Sequence, residues 1–228
     1  MIDRNAMNEM RSIFGAQLQE NVRMANYTTM NVGGVADALL IAKDSEQLAE
    51  IVSKLWALKL PVKVIGSGSN IIISDRGIRS VVVINRAHNI HINAHGEAMS
   101  VWAESGALMI NIGKKLALWG LKGMEWAATI PGSVGGAVYG NAGAFGGEIS
   151  KSIISVDMLH RTHGREEWKC EQLEFLYRSS NIKRNDDDAV ILSARFSVEK
   201  GDPKEIEGNI HKYRQQRMKQ QPAGASVG

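Results

Sequence analysis

Residues 130–147 read Ile-Pro-Gly-Ser-Val-Gly-Gly-Ala-Val-Tyr-Gly-Asn-Ala-Gly-Ala-Phe-Gly-Gly, seven glycines in eighteen positions. Glycine loses more backbone freedom on folding than any other residue. A fold containing this stretch must therefore need bare main chain there, for close packing or for a ligand. Two shorter stretches share the character: residues 27–34 (Tyr-Thr-Thr-Met-Asn-Val-Gly-Gly) and residues 64–70 (Val-Ile-Gly-Ser-Gly-Ser-Asn). Consecutive turn-forming residues can aim several N–H groups into one concavity, which suits phosphate oxygens. Gly66, Ser67, Gly68, Ser69 and Asn70 follow a β-rich run and add side-chain donors. Taken singly, each stretch reads more readily as a tight turn or a close-packed crossing. Neither familiar phosphate fingerprint is met: Gly66-Ser67-Gly68 lacks a third glycine, and Gly113-Lys114-Lys115 has the wrong spacing from Gly106 and no Ser or Thr. Three such stretches together suggest a large, flat, phosphate-bearing ligand lying along backbone.

The 228 residues are 44% hydrophobic and 22% charged, enough for one large core or two small ones and too apolar for wholesale disorder. The net charge of +3 and the modest basic cluster at 211–219 argue against nucleic acid as the partner. No apolar run approaches the roughly 18 residues of a membrane helix, and the N-terminal residues lack the pattern of a secretory signal. Cys170 is the one cysteine, which excludes an internal disulfide and fits a reducing compartment. The expectation is a cytoplasmic monomer with no membrane or nucleic-acid partner.

Apolar residues Met7, Met10, Ile13, Phe14 and Leu18 recur at helical spacing. Asp44 with Gln47 marks a second helix to about Leu58, and Asp202-Pro203 opens a last one to about Lys219. A further helix is predicted over 108–119. Strands are predicted at 62–65, 71–73, 81–84, 152–159, 166–170 and 189–198. Helices and strands intermix without strict alternation, which points to an α+β fold of two α/β lobes.

Several signals read as structural. His88, His91, His95, His160 and His163 lack a completing acidic or cysteine cluster, so no metal is expected. Asp186, Asp187 and Asp188 read as a solvated turn, and Trp102, Trp119 and Trp126 as core. Nothing around Cys170 suggests catalysis.

Taken in order, Thr28-Thr29, Gly33-Gly34, Ala36-Asp37, residues 66–70, Gly123-Met124-Glu125, residues 130–137, Asn141-Ala142-Gly143-Ala144 with Gly146, and Tyr177-Arg178-Ser179-Ser180 resemble the UDP-N-acetylenolpyruvoylglucosamine reductase family. The match runs from about Tyr27 to the last residue. The resemblance implies an FAD-binding fold of the p-cresol methylhydroxylase (vanillyl-alcohol oxidase) type, with two α/β subdomains clasping the cofactor. On that scheme residues 1–26 are an N-terminal helix, 27–198 the FAD-binding domain (subdomains about 27–85 and 86–198), and 199–228 a helix with the start of a C-terminal substrate domain.

The family implies FAD as bound cofactor, NADPH as co-substrate, and UDP-N-acetylglucosamine enolpyruvate as the substrate reduced. It places cofactor contacts at Thr29, Gly66, Ser67, Gly68, Ser69, Asn70, Ile130, Pro131, Gly132, Ser133, Gly135, Gly136, Ala137, Asn141, Ala142 and Gly143. Arg178 matches the catalytic arginine, and Tyr177 with Arg178 would bind substrate. Ser226-Val227-Gly228 aligns with the Ser-x-Gly preceding the proton-donor serine, so that serine and the catalytic glutamate are expected outside these residues. The resemblance therefore implies an FAD-binding portion inactive by itself; a non-catalytic flavin- or nucleotide-binding module is the competing reading. Val35, Met30 and Thr129 replace a common proline, aromatic and glycine, and 103–106 replaces a more glycine-rich turn. Thr129 is the departure expected to bear on the flavin.

Overall fold

The computed structural model describes residues 2–96, 98–185, 188–221 and 224. Its chain divides into two compact units, one up to Ala87 and one from His88.

In the first unit, the Ala6 N–H donates to the Asp3 carboxylate and starts α1 (Arg4–Phe14), which buries Met10 and Phe14. The helix stops at Gly15, whose φ of 49° no other residue adopts as readily. Leu18 thus falls beyond the helix that the apolar spacing predicts, and the chain enters an edge strand, β1 (Gln19–Arg23). β2 (Val35–Ala42) is buried on both faces through residues 36–40. The Gln47 N–H donates to Asp44 Oδ1 at 2.7 Å and the Lys43 N–H to Gln47 Oε1 at 2.8 Å, opening α2 (Ser45–Ala57) where the sequence placed it. Leu48, Ile51, Val52 and Leu55 lie on its buried stripe. β3 (Val62–Ile65) and β4 (Ile78–Asn85) complete a sheet of order β1-β2-β4-β3, antiparallel only at β1.

Residues 71–73 do not form the predicted strand. Ile73 is buried with Met24, Leu39, Val82 and Ile84, but its backbone pairs with no strand. The apolar run plugs a core without joining a ladder. Asp37 is also structural. Its buried carboxylate accepts from Arg79 Nη1 at 2.7 Å and from the Ile2 N–H at 3.0 Å, the pairing a buried charge requires.

The second unit holds a five-stranded antiparallel sheet of order β11-β10-β12-β6-β5. In chain order its elements begin with β5 (Ile90–Asn93), β6 (Ser100–Glu104), α3 (Met109–Leu118), β7 (Leu121–Lys122) and α4 (Val134–Tyr139). The short β8 (Gly143–Ala144), β9 (Gly147–Glu148) and α5 (Ile149–Ser152) lead to β10 (Ile153–His160) and β11 (Gly164–Lys169). Then come α6 (Asn181–Asn185), β12 (Ala189–Ser197), β13 (Glu199–Lys200) and α7 (Pro203–Gln220).

Met109, Ile112 and Leu116 of α3 join Val101, Val156 and Phe196 of the sheet in the core. A Cβ on Gly113 would lie 2.4 Å from the Ala128 nitrogen, so this glycine lets α3 seat on the 3-10 turn Glu125–Thr129. Asp202 caps α7 and Pro203 begins it, as the sequence predicts, and Ile206 and Ile210 pack on Ala128.

Of the three tryptophans read as core, Trp126 is buried and Trp102 half-buried, with its indole N–H donating to Ser193 Oγ at 2.9 Å. Trp119 is 58% exposed, contrary to expectation, because it follows the last turn of α3.

Candidate functional site

In the first unit, residues 66–70 leave the end of β3 and turn, with Gly68 at φ 68°. A Cβ on Gly68 would stand 2.0 Å from the Tyr27 carbonyl oxygen, and the Thr29 N–H donates to the Gly68 oxygen at 3.0 Å. Two of the glycine-rich stretches are therefore knitted together. Thr29, predicted as a cofactor contact, uses its amide here and leaves its side chain exposed. Ser67 Oγ reaches Ser69 Oγ at 3.3 Å. Among the described residues, no acceptor takes the N–H of Gly66, Ser67, Gly68, Ser69 or Asn70. Five successive donors without a protein acceptor, bent by a left-handed glycine, form a nest for anionic oxygen.

In the second unit, the long glycine-rich stretch serves several ends. The Ile130 N–H donates to Ala127 O, and the Met109 N–H to Gly132 O. The stretch then forms α4, which sequence reasoning missed, since Gly135 and Gly136 each cost about 1 kcal/mol relative to alanine in a helix. Burial of Val134, Ala137 and Val138 on one face overrides that preference. The first two amides of α4 are consumed internally: Val134 donates to Ala107 O at 2.8 Å and Gly135 to Ser105 O at 2.7 Å. Among the described residues the Gly132, Ser133 and Gly136 N–H groups meet no acceptor. Ala142 and Asn141 also use their amides internally, on Ala137 O and Val138 O.

Three glycines of the stretch are fixed by crowding. A Cβ would fall 3.1 Å from Ser105 Cβ at Gly135, 2.6 Å from Gly147 O at Gly143, and 2.2 Å from the Trp126 ring at Gly147. The Trp126 indole nitrogen below Gly147 is buried with no partner among the described residues. At Gly136 and Gly140 the nearest protein atoms to a Cβ are 3.6 and 3.5 Å away, and at Gly146 nothing lies within 4 Å. Thr129, where the family commonly has glycine, turns its hydroxyl inward to donate to Trp126 O at 2.8 Å. The tip of the β8–β9 hairpin stacks Phe145 on Tyr213 of α7, rings 4.8 Å apart and nearly parallel.

Arg178 sits at φ 55° in a two-residue turn closed by reciprocal bonds between Leu176 and Ser179 at 3.0 and 3.1 Å. Its guanidinium reaches the glycine-rich stretch: Nη1 donates to Asn141 O at 3.3 Å and Nη2 to Gly143 O at 2.8 Å. The Tyr177 ring lies 5.3 Å away, and Tyr177 is itself 86% exposed. No carboxylate neutralises Arg178 among the described residues. Two of the five guanidinium donors are engaged, which leaves a forked face for an incoming carboxylate.

The structure thus brings Arg178 onto Asn141 and Gly143, and separately gathers Thr29 with residues 66–70. Ser226 lies outside the described residues, as do Asp186 and Asp187; Asp188 pairs with Arg161 at 3.0 Å. Among the described residues, no three His, Cys, Asp or Glu groups could hold a metal, and no helix is long and apolar enough to cross a membrane.

In the first unit the row of amides fits phosphate oxygen, a group that FAD carries; in the second unit the uncrowded glycines, taken by themselves, leave room for a planar ring. A family profile described as an FAD binding domain matches residues 36–166. The protein is a flavoprotein-class α+β chain of the p-cresol methylhydroxylase and vanillyl-alcohol oxidase fold. It is 33% identical over 92% of its length to a UDP-N-acetylenolpyruvoylglucosamine reductase of Chloroflexus aggregans, covering 72% of that protein. The crystal structure of the Thermus caldophilus reductase of that name superposes with a TM-score of 0.75 at 28% identity, over 91% of this chain and 71% of that one. Alkyldihydroxyacetonephosphate synthase, at 16% identity and a TM-score of 0.62 over 88% of this chain and 41% of that one, shares the fold alone. The chain belongs to the UDP-N-acetylenolpyruvoylglucosamine reductase family. It spans 63 to 72% of the length of the first curated relatives it matches.

Proposed function

We propose that the protein binds FAD and takes part in the NADPH-dependent reduction of UDP-N-acetylglucosamine enolpyruvate to UDP-N-acetylmuramate. The reading draws on the names of its relatives and on one observation above all. Arg178 is a cation without a counter-ion among the described residues, held by two main-chain carbonyls of a glycine-rich stretch.

FAD, when bound, supplies hydride-transfer chemistry, which no protein side chain offers. The amides of residues 66–70 would hold its phosphate groups. The backbone at Gly132, Ser133 and Gly136, whose amides meet no acceptor among the described residues, would admit the flat ring system. Arg178 binds the enolpyruvyl carboxylate through the donors it has left, and Tyr177 flanks it. Hydride addition to the enol ether builds negative charge next to that carboxylate. A guanidinium fixed before the reaction stabilises this charge more than the ground state, which is the condition for raising the rate. The proton donor and the glutamate that the resemblance expects are assigned to none of the described residues.

The experiment is direct. Purified protein should be yellow and release FAD on denaturation, and bound reduced flavin should be reoxidised on adding the enolpyruvyl substrate to a polypeptide of the full family length. Colourless protein that refuses added FAD would end the proposal.

A further inference from the structure

Asn141 belongs to the residues that the family resemblance assigns to the cofactor, yet its side-chain amide is engaged within the protein at both ends. It is 3% exposed. Its Oδ1 accepts the Ser150 N–H at 3.1 Å and its Nδ2 donates to the Leu176 carbonyl at 3.1 Å. Leu176 is one end of the turn that carries Arg178, and its carbonyl also closes that turn with the Ser179 N–H. The Asn141 main-chain carbonyl meanwhile receives Arg178 Nη1. One residue therefore grips the base of the Arg178 turn with its amide and the tip of the Arg178 side chain with its backbone.

The backbone explains the residue type. Asn141 has φ 42°, a left-handed conformation after the end of α4 that glycine and asparagine tolerate. Glycine would keep the conformation and lose the clamp. Aspartate would put an acceptor against the Leu176 carbonyl. Asparagine alone meets the φ, the donor and the acceptor together.

We infer that Asn141 is a positioning residue: its amide holds the 176–179 turn so that the Arg178 guanidinium stays on the glycine-rich stretch, aimed at the substrate carboxylate. The aim at substrate rests on the proposed function; the clamp itself does not.

The test has two arms. In cofactor-free, 15N-labelled protein, the Arg178 guanidinium signals are assigned with Arg178→Lys. Wild type should show hindered rotation of the Nη groups, and Asn141→Gly should speed it about tenfold or more while the protein still unfolds cooperatively. Should Asn141→Gly fail to fold, Asn141→Asp keeps the Oδ1 acceptor for the Ser150 N–H and removes the donor to Leu176; it should also speed the rotation. Unchanged Arg178 dynamics in the folded variant overturns the inference.

In the FAD-loaded polypeptide of full family length, substrate affinity is read from the flavin absorbance. Asn141→Gly should weaken it about tenfold with Arg178 present and less than about twofold in an Arg178→Ala background. Equal losses in both backgrounds, or a loss of FAD affinity instead, would overturn the positioning role. Failure of wild type to take up FAD sinks the proposed function, and the first arm still decides the clamp.

Discussion

The two units use glycine in opposite ways. In the first, three glycines are demanded by the protein's own backbone: a Cβ would lie 2.1 Å from Asp75 O at Gly34, 2.0 Å from Tyr27 O at Gly68 and 1.9 Å from Val35 O at Gly77. Among the described residues, what that crowding leaves without an acceptor is the row of amides at 66–70. In the second unit, crowding fixes Gly135, Gly143 and Gly147, while a Cβ at Gly136 or Gly140 would make only ordinary contact and Gly146 faces open space. Glycine richness is thus two things: in one unit it folds a loop so that donors are spare, and in the other it leaves a surface bare. An anion needs the first; a planar ring needs the second.

The sharpest way to break this contrast is Gly68→Ala. A methyl group driven into a carbonyl, at a left-handed φ, should cost about 3 kcal/mol. Denaturant unfolding would show it, with loss of FAD binding; a fully stable Gly68→Ala protein would mean the loop is slack. Next in size is Arg178→Ala. It removes the donor to the carbonyl of the buried Asn141, so stability should fall by about 1 kcal/mol, well short of the Gly68 loss. Reoxidation of reduced flavin by substrate should slow about a hundredfold, read by stopped flow.

Gly136→Ala should part stability from binding. With 3.6 Å to Ser133 Oγ, alanine fits α4 and should stabilise it by up to about 1 kcal/mol. FAD affinity, read by titration, should fall. A tightening would show that the cofactor does not approach there. The smallest effect concerns Cys170, whose thiol burial pushes above its ordinary value. Because its folded pKa is the raised one, the associated stability is present below the unfolded thiol's range and is lost as pH rises towards the folded value. A disulfide reagent should label it more slowly than free cysteine at pH 8, and Cys170→Ser should flatten the alkaline limb of the stability profile.

The sequence was legible where local chemistry and burial agreed. Asp44 and Asp202-Pro203 mark helix starts through side-chain caps that need no tertiary context. β1 escaped notice because Gln19–Arg23 is a half-exposed edge strand with one aliphatic residue, Val22. Residues 71–73 misled in the other direction, since an apolar run says that side chains are buried and not that the backbone pairs. α4 was hidden by its glycines. At the site, the order of motifs pointed to Arg178 and residues 66–70, but not to the division of labour within 130–147. Whether an amide is spare depends on distant carbonyls, such as Ser105 and Ala107, that no local pattern reveals. Asn141 carried a signal that could have been read: asparagine directly after a helix-ending glycine suits a left-handed cap.

The stack of Phe145 on Tyr213 makes the last helix a keel for the hairpin tip. Tyr213 looks, by sequence position, like a remote surface aromatic, free to drift. A leucine or serine there would loosen the far end of the glycine-rich segment without touching it in sequence. Variation at Tyr213 should accordingly travel with variation at Phe145, and a screen for altered flavin behaviour ought to recover helix α7 as well as the loops.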